Sequence, residues 1–137
     1  MDCQYLTVEQ IVFLHDEIVK KTGGSLGVRD WDLLHSAAMR PQASFCGQDL
    51  YSDTFAKAAA LCQSLINNHP FVDGNKRIGC SACLLFLDIN KVSIEISNQD
   101  FIKFSLKIAT KKQTIKQISS WLKAKTIFAL DKKTSIR

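Results

Sequence analysis

Nine consecutive residues hold most of the chemistry available to this chain: His69-Pro70-Phe71-Val72-Asp73-Gly74-Asn75-Lys76-Arg77. They bring together a base, a carboxylate, a Gly-Asn pair and two cations. An imidazole such as that of His69 can accept a proton from an attacking hydroxyl at neutral pH. The Asp73 carboxylate is a hard oxygen ligand of the kind Mg2+ prefers where phosphates supply the other ligands. Gly74 has no Cβ and lets the backbone approach an anion closely, while a helix starting at Gly-Asn aims its unpaired N–H groups at one point. Asn75 tolerates left-handed geometry and adds a side-chain donor. Arg77 can grip phosphate oxygens bidentately, and Lys76 serves as a point charge. Phe71 reads as the core anchor that fixes the loop. These parts describe phosphoryl or nucleotidyl transfer, in which positioning and charge neutralisation do most of the work.

The elements that must position this loop are helical. Thr7 with Gln10 forms a capping box ahead of an amphipathic run ending near Lys21, and Gly23-Gly24 stops it. Asp30 can cap a second helix, Trp31 to Met39, closed by Pro41. Residues 42–52 lack helical periodicity and read as an exposed loop or short hairpin. Asp53 starts a third helix whose run FAKAAALCQSLINN is apolar on nearly all sides, as is KRIGCSACLLFLDIN after the loop. Helices of that kind are buried. Val92–Ile96 alternates like a short strand or extended link. Asn98 and Thr114 can cap two more amphipathic helices ending near Lys125, Thr114 forming a second capping box with Gln117. The expectation is one all-α domain over residues 1–125, about six helices around two central buried ones, followed by a basic tail over 126–137.

Composition narrows the class. Hydrophobic residues make up 46% and charged residues 23% of the 137, a globular balance that argues against disorder. No apolar run approaches the ~18–20 residues that span a bilayer. The start, MDCQYLTVEQ, carries an acid where a secretory signal needs a base, so the five cysteines read as reduced cytoplasmic thiols. Cys80-x-x-Cys83 has zinc-like spacing without a second ligand pair and reads as core. His15 and His35 read as structural or surface residues, Trp31 and Trp121 as packing residues. Residues 103–137 hold ten basic side chains against one acid, which suits an acidic partner. No aromatic interleaving or groove-reading motif accompanies that charge, so nucleic acid is not expected as a partner.

The loop resembles the signature of the Fic/Doc family, H-x-F-x-[D/E]-G-N-x-R, at every specified position. GVRDWDLLHSAAMRPQ, DLYSDTFAKAAAL and LLFLDIN are similar to the death-on-curing (Doc) branch, over about residues 5–125. The resemblance implies the all-helical Fic fold, Mg2+ with ATP as co-substrate, His69 as base, Asp73 as Mg2+ ligand, and Gly74, Asn75, Lys76 and Arg77 on the phosphates. It also implies that residues 42–52 form a flap aligning the target segment. AMP-transferring members carry Gly where Lys76 stands and a second Arg where Cys80 stands. Both departures resemble the Doc branch and favour transfer of the γ-phosphate to a protein hydroxyl, the target being a translation factor such as elongation factor Tu. AMP transfer through the same residues is the alternative, and a non-catalytic Fic-fold binding module is a third reading. The family's inhibitory motif requires Ser or Thr four residues before a Glu. Tyr5, Phe13 and Lys91 stand there before Glu9, Glu17 and Glu95. Restraint by a separate Phd-type antitoxin is therefore expected.

Overall fold

A computed structural model describes residues 2–129. Helix α1 (Val8–Thr22) starts at Thr7, whose side chain accepts from Gln10 N while the Gln10 side chain returns to the Thr7 backbone. Helix α2 (Trp31–Met39) is capped by Asp30 and runs into a 3-10 turn, Arg40–Gln42, with Pro41 at its start. Strands β1 (Ser44–Phe45) and β2 (Gln48–Asp49) then form a hairpin. Its two-residue turn places Cys46 and Gly47 at φ 52° and 78°, the double positive φ that matches the twist of a tight hairpin.

Helices α3 (Thr54–Asn68, capped by Asp53) and α4 (Asn75–Ile89) form the centre. Ala58, Ala59, Leu61, Leu65 and Ile66 of α3 and Ile78, Ala82, Phe86 and Leu87 of α4 are at most 1% exposed, consistent with their all-round apolar sequences. The two helices approach closely because residue 79 is glycine. A Cβ there would lie 2.5 Å from Ile66 Cγ1 and 3.3 Å from the Cys62 carbonyl oxygen. Helices α5 (Asn98–Lys111) and α6 (Ile115–Ala124) cover one side. The α5 cap is Ser97, whose hydroxyl accepts from Asp100 N, so Asn98 is the first helical residue rather than the cap expected. The Thr114–Gln117 capping box is present.

Strand β3 (Val92–Ile94) pairs antiparallel with β4 (Thr126–Ala129). The start of the segment expected as a tail is thus tied to the domain through backbone hydrogen bonds, and the rest of that expectation, residues 130–137, lies outside the described residues. Trp121 stacks on Phe104 with ring centroids 3.9 Å apart, whereas Trp31, expected to pack, is 59% exposed. Among the described residues no helix is long and apolar enough to cross a membrane.

Candidate active site

The loop between α3 and α4 brings the sequence-read residues to one place. Helix α3 ends at Asn68, and His69 follows in the left-handed conformation (φ 50°, ψ 58°) with its side chain exposed. Arg29 holds this turn: Nε donates to the His69 carbonyl at 2.6 Å and Nη2 to that of Asn68 at 2.9 Å. The Pro70 carbonyl accepts from the backbone N–H of Arg29 and Asp30 at 2.7 and 3.0 Å. Phe71, expected as the core anchor of the loop, is 1% exposed and forms a β-bridge with Val28. Asn75 stitches the loop shut, Oδ1 accepting from Phe71 N and Nδ2 donating to Phe71 O, both at 3.0 Å. Its amide therefore works inside the loop. Left-handed geometry falls on Gly74 (φ 77°), and Asn75, which would tolerate it, is the first helical residue.

Asp73 is held from both sides. Oδ2 accepts from Ser25 N at 3.1 Å and Oδ1 from Gly74 N at 2.8 Å. These bonds, Ser25 first and Gly74 second, with the Arg77 guanidinium adding to them, hold the carboxyl below its ordinary value of 3.8. An ionised, partly exposed carboxylate with lone pairs to spare fits a hard divalent cation whose other ligands are phosphates and water. Among the described residues no side chain caps α4, and its first N–H groups, which have no intrahelical acceptor, present positive potential beside that carboxylate. Lys76 is exposed on the first turn. Arg77 is tethered from below: Nη1 donates to the Gly23 carbonyl at 2.9 Å and to the Thr22 hydroxyl.

Helix α1 and the turn after it thus support the site, which the sequence reading missed. Gly24 (φ 112°) presses against Asp73, where a Cβ would sit 2.6 Å from Oδ2. His15, read only as structural or surface, is 0% exposed. Its Nε2 lies 2.7 Å from the Asp73 carbonyl oxygen and its ring stacks on Phe71 at 3.9 Å. A signal existed: His15 sits four residues from both Ile11 and Val19, on the apolar stripe of α1, where a polar side chain needs an internal partner. His35 is exposed on α2.

The hairpin is anchored at both ends. Asp49 pairs at 3.0 Å with Lys57, which also donates to the Pro41 carbonyl at 3.2 Å, and Arg40 donates to the Tyr51 hydroxyl at 2.9 Å. An open groove of ≈ 670 Å³ runs between β1 and the last turn of α3, lined by Met39, Arg40, Ser44, Ser64 and Asn68. Cys80 and Cys83 are buried with Cys62. The hydrogen bond with Cys62 and then burial push the Cys80 thiol well up, so it stays protonated and packs as core.

A helical bundle carrying this loop between its two central helices defines a class. The Fic/DOC family model matches residues 5–87, and the chain belongs to that family. It is similar to the Toxin Doc of Mycolicibacterium smegmatis (strain ATCC 700084 / mc(2)155), 53% identical over 72 residues, which cover 53% of this chain and 55% of that protein. The match therefore spans little more than half of that relative's length. It is also similar to the Protein kinase doc of Escherichia phage P1, 29% identical over 91 residues, 66% of this chain and 71% of that one.

Proposed function

We propose that this chain is a Doc-type toxin that transfers the γ-phosphate of ATP to a hydroxyl of a target protein and so arrests growth. The carrying observation is that one short loop places an exposed imidazole at the end of α3 and an ionised carboxylate at the uncapped start of α4. The names of the two relatives, a toxin and a protein kinase, support the same reading. The proposed target class is a translation factor such as elongation factor Tu. The proposed restraint is a Phd-type antitoxin, and the proposed compartment is the cytoplasm.

In this reading the target hydroxyl approaches His69, whose imidazole accepts its proton as the hydroxyl oxygen bonds to the γ-phosphorus. The bond from that phosphorus to the β–γ bridging oxygen breaks, and ADP leaves. The free N–H groups of α4 and the cations Lys76 and Arg77 hold the phosphates, while Arg29 and the Phe71–Asn75 bonds keep the imidazole and carboxylate in register. Asp73 would hold Mg2+, which neutralises phosphate charge when bound. Cys80 carries no positive charge, so its position offers no cation for the arrangement used by AMP-transferring members. This favours phosphate over AMP as the transferred group.

The test is expression of the chain alone. Wild type should arrest growth and His69→Ala should not, at equal levels of folded protein. Arrest by folded His69→Ala at wild-type strength overturns the catalytic reading and favours the binding module.

A further inference from the structure

A buried histidine is often a satisfied core residue, yet His15 departs from that description in two ways. Its Nδ1 is buried with no hydrogen-bond partner among the described residues, Asp16 Oδ1 standing 3.8 Å away. A phenylalanine would fill the same space without an unpaired nitrogen, so packing alone does not call for an imidazole here. The other ring edge gives the reason. Nε2 lies 2.7 Å from the Asp73 backbone carbonyl, which can only accept, so Nε2 carries the hydrogen and donates it. The same ring stacks on Phe71 at an interplanar angle of 9°, and its Nε2 lies 3.5 Å from where a Gly74 Cβ would be. One side chain from α1 thus touches two residues of the catalytic loop, Phe71 and Asp73, and the second contact is to the carbonyl of the peptide that sets the direction of the Asp73 carboxylate.

We propose that His15 is a positioning residue of the metal–nucleotide site: its Nε2–H, donated to the Asp73 carbonyl, fixes the backbone that aims the Asp73 carboxylate at the cation accompanying the nucleotide. This rests on the reading that the loop binds Mg2+ with ATP. The bond acts through Asp73 and touches no reacting atom. Without it the carbonyl loses its side-chain partner, the 73–74 peptide can rotate, and the carboxylate departs from the Ser25 and Gly74 N–H groups that orient it. Partners that orient a metal ligand typically change metal affinity by ~10–100-fold, and a backbone support belongs at the lower end of that range.

The experiment titrates ATP calorimetrically into purified full-length protein, once with Mg2+ and once with EDTA. His15→Phe keeps the ring stacked on Phe71 and removes the donor, whereas His15→Gln carries an amide N–H at the reach of Nε2. His15→Phe should bind ATP about tenfold more weakly in Mg2+ and equally in EDTA, and His15→Gln should recover most of the loss. A structural role alone would lower the melting temperature of the nucleotide-free protein without a Mg2+-specific loss. A folded His15→Phe that matches wild type in Mg2+, or that loses equally in EDTA, overturns the proposal. If wild type binds no ATP in Mg2+, the parent reading fails and takes this proposal with it, a result distinct from equal binding by both proteins. Should His15→Phe not fold, the wild-type His15 Nε2–H resonance decides. It should be protected from exchange and shift on adding Mg2+ with ADP, and an unshifted resonance in a nucleotide-bound protein refutes the role.

Discussion

Gly24→Ala tests whether the turn after α1 shapes the site. Gly24 sits at φ 112°, where an L side chain is strained, and its new Cβ would stand 2.6 Å from Asp73 Oδ2 and 3.1 Å from Arg77 Nη2. The backbone strain alone costs about 1–3 kcal/mol of stability. Ordinary contact begins at 3.4 Å, so the carboxylate oxygen must retreat by about 0.8 Å and abandon the Ser25 N–H. A displacement near 1 Å can lower turnover by up to ~10²-fold, so Mg2+-dependent ATP binding and transfer should fall by roughly 10–100-fold. The Asp73 carboxyl loses the largest of the contacts that depress it, so its pKa should rise toward 3.8. A depressed carboxyl stabilises the fold above its unfolded pKa, and this contribution is lost as pH falls through the folded value. In the variant that contribution is smaller and its loss is complete at a higher pH. Gly23→Ala supplies the control, because residue 23 also has positive φ (88°) but a Cβ there meets nothing within 4 Å. It should lose stability and keep Mg2+-ATP affinity. The assay is a thermal melt, a Mg2+-ATP titration and a carbon NMR titration of Asp73 on both variants. Equal Mg2+-ATP affinities in the two variants would show that the Gly24 turn does not shape the site.

Three further outcomes are expected. His69→Gly should relieve the left-handed strain and stabilise the fold by up to about 1 kcal/mol, while transfer falls at least ~10²-fold; melting and turnover measured together check it. Arg29→Ala should cost about 1 kcal/mol and lower kcat with little change in Mg2+-ATP affinity, since it frees the turn at His69 and leaves the start of α4 intact; calorimetry beside initial rates separates the two. Lys76→Gly should weaken γ-phosphate transfer and introduce some AMP transfer by opening the N–H cradle to the α- and β-phosphates, which α- and γ-labelled ATP report.

The loop and the helices around it were legible because their signals are local. Capping at Thr7, Asp30, Asp53 and Thr114 was readable from residues three apart, and the apolar character of α3 and α4 announced burial. What holds the loop was not legible, because the partners are distant in sequence. His15 meets Asp73 across 58 positions and Arg29 meets His69 across 40. Gly23-Gly24 read only as a helix stop, since nothing local says that a carboxylate packs against it. Asn75 read as a free donor because loop closure onto Phe71 depends on the turn's shape. The β3–β4 pairing was missed for the same reason: Thr126–Ala129 gains strand character only when Val92–Ile94 lies beside it. Trp31 read as packing by residue type, and its exposure follows from its place at the outer start of α2.

In the proposed function His69 directs the γ-phosphate of ATP onto a protein hydroxyl. The most direct measurement incubates the purified protein and Mg2+ with a cell extract and either γ-labelled or α-labelled ATP, and follows label into protein. Wild type should transfer label only from the γ position, onto a protein band absent with His69→Ala. Label from the α position in that band, or undiminished γ-label with folded His69→Ala, would contradict the account.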